Sequence, residues 1–149
     1  MEFGVDEDSA RWVGNFQPGG TRFSAVFTDA GGREATVLAG GQGYRVNVVT
    51  GALLGEFGGD IESAIDVPGM GCVVFLSPTD VELHRTGGRA VWRSRRISWD
   101  GFRNLSLQGD ELKGEAWMFD GTWHPFTVAL ATGAVEGGSY YEAQQVQGP

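Results

Sequence analysis

A single cysteine, Cys72, and two histidines, His84 and His124, are all that this chain holds of the residues that most often build covalent staples and metal centres. One cysteine cannot close an intramolecular disulfide, which suits a reducing compartment, and a cytoplasmic protein is expected. Neither histidine has a partner at a recognised ligand spacing, so neither a metal nor any other cofactor is expected. No run approaches the ~20 apolar residues of a membrane helix, and Met1 to Asp8 hold neither the basic patch nor the apolar stretch of a secretory signal. Positive charge is scarce as well. Eleven basic against nineteen acidic residues leave a net charge of −8, which repels nucleic-acid phosphates and anionic membrane surfaces alike. Helical periodicity is almost missing, which excludes a bundle.

What the chain has in abundance is glycine, 25 residues in 149, scattered without a collagen-like period. Glycine accepts the positive φ that tight reversals demand, so its abundance suits a fold of many turns and short strands. At 41% hydrophobic and 20% charged, the composition is that of a folded domain, and a single domain over residues 1–149 is expected, with 1–9 and 142–149 frayed. Short apolar or alternating runs bounded by Gly, Asp, Pro and Ser recur from Phe23 to Val135 and read as strands. They fall into three sets of four: 23–27, 35–38, 44–49 and 52–57; 62–67, 72–76, 81–84 and 90–93; 102–107, 112–118, 123–130 and 134–135. The fold class is therefore all-β, an antiparallel meander of about 10–12 short strands, either one barrel or sandwich or three blade-like four-stranded units. Ser139 is placed to cap a turn or two of helix through Gln145.

The third strand of each set ends in one phrase: Val46-x-Val48-Val49-Thr50-Gly51, Val81-x-Leu83-x-x-Thr86-Gly87 and Val128-x-Leu130-x-Thr132-Gly133. The Thr-Gly pairs stand 36 and then 46 residues apart, a sheet-repeat spacing. Val81 to Trp92, with its strand, Thr-Gly and following Trp, resembles a blade of the quinoprotein-type β-propeller repeat, as Val46 to Phe57 does more faintly. The resemblance implies a four-stranded blade and no quinone chemistry, and three units are fewer than the four or more blades of a closed propeller. Ser98-Trp99-Asp100-Gly101, Gly114 to Trp117 and Phe126 to Gly133 resemble segments of small bacterial proteins with no assigned activity.

Two groups of residues are candidates for chemistry. Arg85 to Arg103 holds six of the eleven basic residues and one acid, Asp100. Within it Arg93, Arg95, Arg96, Trp99 and Arg103 combine planar donor forks with an aromatic surface, which suits a small anionic ligand. If the segment is one strand, Arg93, Arg95, Ile97 and Trp99 share a face, and the arginines equally suit a solvated face or a guarded edge. The second group is Glu115, Asp100 and His124, among tryptophans, the residue types of a saccharide-cleaving acid and base. Asp100-Gly101 and Asp120-Gly121 also read as turns, and Cys72, followed by four apolar residues, reads as a buried hydrophobe of low reactivity.

No nucleophile elbow or phosphate loop appears. The expected function is thus a noncatalytic binding or protein-interaction module, with a small hydrolase acting on a saccharide or anionic molecule as the alternative. The expected partners are a second copy of the chain, in a homodimer, and a protein or small anionic ligand.

Overall fold

A computed structural model describes residues 2–3, 12–13 and 15–140. It is all-β, with fourteen strands, a single 3-10 turn at Pro68–Met70 and no α-helix among the described residues. A short pair, β1 (Glu2–Phe3) and β2 (Trp12–Val13), precedes three four-stranded antiparallel sheets. The first contains β3 (Ala25–Thr28), β4 (Glu34–Ala39), β5 (Gln42–Asn47) and β6 (Leu53–Gly58). The second contains β7 (Ser63–Val67), β8 (Cys72–Leu76), β9 (Val81–Arg85) and β10 (Ala90–Arg93), and the third β11 (Phe102–Gln108), β12 (Glu111–Trp117), β13 (Trp123–Ala129) and β14 (Val135–Gly137). In each sheet the strands neighbour one another in chain order, so each is an open meander and none closes into a barrel. The three sets of four read from the sequence are these three sheets.

Contacts divide the chain into two units, one of residues 1–75 with 84–91 and one of 76–83 with 92–149. In the first, β4 is buried along Ala35, Thr36, Val37 and Leu38, because apolar side chains cover both of its faces. Ala35 and Val37 pack with Tyr44, Val46 and Val48 on one face; Leu38 packs on the other with Ile61, Val73 and Phe75. Each fully buried side chain of this size contributes roughly 1.5–3 kcal/mol over exposure.

The Thr-Gly pairs are turn chemistry in all three sheets: Gly51, Gly87 and Gly133 have φ of 77°, 74° and 80°. Two of these hairpins are the same local structure. Asn47 N–H donates to Ala52 O at 2.8 Å and Ala129 N–H to Ala134 O at 2.9 Å. In both, the threonine hydroxyl accepts the N–H two residues on, Thr50 from Ala52 and Thr132 from Ala134, each at 3.2 Å. The hairpin at Thr86 is tighter, closed by Arg85 N–H donating to Arg89 O at 2.8 Å.

In the second unit, the strand ending at Arg93 gives way to an irregular segment, 94–101, so the condition under which Arg93, Arg95, Ile97 and Trp99 would share one strand face is not met. The reason lies in its backbone partners. Ile97 and Ser98 N–H donate to Thr79 O at 2.7 and 3.1 Å, and Gly101 N–H donates to Pro78 O at 2.6 Å, so a turn takes the bonds a neighbouring strand would take. Ile97 is fully buried at the centre of this segment. The buried Ser139 hydroxyl donates to Trp117 O at 2.6 Å. Residues 141–145 of the expected helix, and most of the ends expected to fray, lie outside the described residues.

Candidate functional site

The arginine-rich segment scatters its guanidinium groups over several partners. Arg93 grips Asp80, Nη2 to Oδ2 at 3.0 Å and Nε to Oδ1 at 3.4 Å, and Asp80 is buried. Arg95 donates to the carbonyls of Arg96 and Gly137, both at 2.9 Å. Arg96 donates to Ser98 O and Trp99 O, both at 3.0 Å, and its guanidinium carbon lies 4.3 Å from the Tyr140 ring centre and 5.2 Å from that of Trp99. A segment without ladder bonds leaves carbonyls that need donors, and these arginines supply them. Arg96 and Trp99 are thus brought together, with Trp99 touching Phe119 and Tyr140 edge-on. Arg103 goes elsewhere, onto Trp123 at 4.4 Å, and donates through Nε to Glu115 Oε1 at 2.8 Å.

Glu115 also accepts from Asn104 Nδ2 at 2.7 Å, on the same oxygen. Asn104 sits at the register shift between Arg103 and Ser106 with a left-handed φ of 55°, which asparagine tolerates better than most residues. The hydrogen bonds from Arg103 and Asn104 hold the Glu115 carboxyl below its ordinary pKa. His124 belongs to a separate chain of bonds. The Thr122 hydroxyl donates to Asp120 Oδ1 at 2.6 Å and lies 2.8 Å from His124 Nε2. With the hydroxyl's one proton spent on the carboxylate, Nε2 carries the N–H of that contact. The side-chain and backbone hydrogen bonds of Thr122 hold Asp120 below its ordinary pKa.

The register separates the two strongest acid and base candidates. Glu115 pairs with Pro125, whereas His124 pairs with Ala116, so the two side chains leave the sheet on opposite faces. Asp100 is exposed, its N–H donating to Ser98 Oγ at 3.2 Å, in a bend. No group of three metal-binding side chains occurs among the described residues.

A cavity forms in the first unit instead, with a volume of about 210 Å³, lined by Arg45, Gly55, Glu56, Phe57, His84, Arg89 and Ala90. Its floor exists because β6 has glycine where the ladder brings it opposite Arg45: a Cβ on Gly55 would meet nothing within 4 Å. One wall is aromatic. His84, 2% exposed, lies with its ring centre 4.2 Å from that of Phe57 and 5.0 Å from that of Phe75. Arg45 donates through Nη1 to Glu34 Oε1 at 3.0 Å. Sequence reasoning found no ligand partner for His84 and singled out neither arginine, since three strands and a hairpin must come together before they share a space. The one local signal was a glycine inside a strand, the mark of a close approach or an opening.

No protein-family model matches this chain, and neither does any curated protein.

Proposed function

We propose that this protein is a noncatalytic binding module that holds a small molecule in the cavity over Gly55. The observation that carries this reading is the preformed space itself, of about 210 Å³, with Phe57, His84, Arg45 and Arg89 in its lining. Apolar walls with a few convergent polar groups are the usual character of small-molecule sites. The volume lies below the ~300–1,000 Å³ of drug-sized pockets, which points to a small ligand. The lining includes no Ser, Thr, Cys or Lys, so it offers no hydroxyl, thiol or amine nucleophile. The separation of Glu115 from His124 weighs against the hydrolase reading.

Gly55→Leu tests the proposal, because the new side chain enters open space without a clash at Cβ and fills the cavity. Ligand-observed NMR against a fragment library is expected to give hits on the native protein that vanish in Gly55→Leu. Stability should stay within about 0.5 kcal/mol, as for other surface replacements. Hits that persist in the variant would place binding elsewhere.

A further inference from the structure

The guanidinium groups of the cavity identify the class of molecule it takes, an inference that rests on the binding role proposed above. Arg45 lies in a cross-strand row with Thr36 on β4 and Gly55 on β6. Its side chain is 19% exposed and spends one nitrogen on Glu34, and its other N–H groups have no partner among the described residues. Arg89, in the hairpin between β9 and β10, lines the same cavity, and its guanidinium has neither a hydrogen-bond nor an ion-pair partner among the described residues. Arg89 is exposed, so water can satisfy it, but the half-buried donors of Arg45 call for a partner, and a guanidinium fork matches an acceptor with two oxygens.

Thr36 adds an independent sign. Beside Arg45 in the row, it is fully buried and its Oγ1 has no hydrogen-bond partner. Polar groups are thus concentrated, incompletely paired, along one line of the sheet that leads to Gly55. The sign and size of the missing charge follow from counting. Glu56 borders the cavity, but its cross-strand partner is Tyr44, so alternation sends its carboxylate to the face opposite Arg45 and Gly55. Two arginines against Glu34 alone leave one unbalanced positive charge, which suits a monoanion better than a phosphate dianion. The rings of Phe57 and His84 supply an apolar surface for the rest of the molecule.

We infer that the cavity takes a small organic monocarboxylate, its oxygens in the forks of Arg45 and Arg89 and its apolar body against Phe57 and His84, over Gly55. Titration calorimetry at pH 7 tests this with benzoate, 3-phenylpropanoate and isovalerate, each beside its neutral amide, and with inorganic phosphate. At least one acid is expected to bind about tenfold or more tighter than its amide and than phosphate, the scale of one charged hydrogen bond. Arg89→Met, at an exposed position with no bond to lose, should cost the acid a similar factor, and Gly55→Leu should abolish its binding. An amide that binds as well as its acid, phosphate that binds better, or an Arg89→Met protein of native affinity would overturn the carboxylate. In those cases the cavity remains the site wherever Gly55→Leu still removes binding. Failure of every probe on the native protein would overturn both readings.

Discussion

Single residues show how little of the conspicuous chemistry is free. Glu115 has one oxygen saturated by Arg103 and Asn104, and its pKa is lowered by them. A carboxyl whose folded pKa is depressed stabilises the fold above its unfolded pKa of about 4.3, and that contribution fades as pH falls through the folded value. Glu115→Gln should therefore lower the melting temperature most near pH 7, where the contribution is present, and the variant and native curves should converge as pH falls below about 4.3. Parallel acid melts of the native and variant proteins measure the difference; curves of equal steepness would mean that the pair does not couple to folding. Cys72 is buried as its apolar run suggests, 4% exposed with its thiol donating to Met70 O at 3.4 Å. Thiol titration is expected to find no fast-reacting group in the native protein and one in denaturant, and rapid native labelling would contradict that burial.

Strands and turns were the legible part of the sequence, because each is written in neighbouring residues. Thr50-Gly51 and Thr132-Gly133 carry their own instructions: a glycine for the positive φ and a hydroxyl that accepts the N–H two residues on. Thr50→Val or Thr132→Val keeps the shape and removes that acceptor, so each should destabilise by roughly 0.5–1.5 kcal/mol, nearer the low end because both sites are exposed. Urea unfolding reads the loss, and a neutral result at both sites would assign the turn to glycine alone. Segment 94–101, left between strands by the sequence reading, stays out of a ladder for a complementary reason. Arg, Ser and Ile alternate there as in a strand, but Pro78 and Thr79, distant in sequence, take its backbone N–H groups. The cavity was illegible for the same cause: Arg45, Gly55, His84 and Arg89 become neighbours only through strand register and hairpin placement. Local patterns encode who forms a strand, while pairing decides which side chains meet.

At the scale of the whole molecule, the three open sheets present six edge strands, and an unguarded edge is a template for pairing. Five of the six carry a charge: Glu56 on β6, Asp66 on β7, Arg93 on β10, Arg103 on β11 and Glu136 on β14. The exception is β3, Ala25–Thr28, which has no charged residue and holds Val26 42% exposed. A second copy is the simplest partner for such an edge, since a twofold axis sets β3 antiparallel to itself and satisfies both strands with one interface. We therefore expect a homodimer joined through β3, opposed by a net charge of −8 on each chain and so strengthened by salt. Light scattering at micromolar concentration should give about twice the 15.9 kDa of one chain, more completely as salt is raised. Val26→Lys puts a charge on the one bare edge of the three four-stranded sheets and should return the protein to the mass of a single chain with an unchanged β-type circular dichroism spectrum. A native protein that stays monomeric at every salt concentration, or a Val26→Lys dimer, would move the self-association surface off this strand.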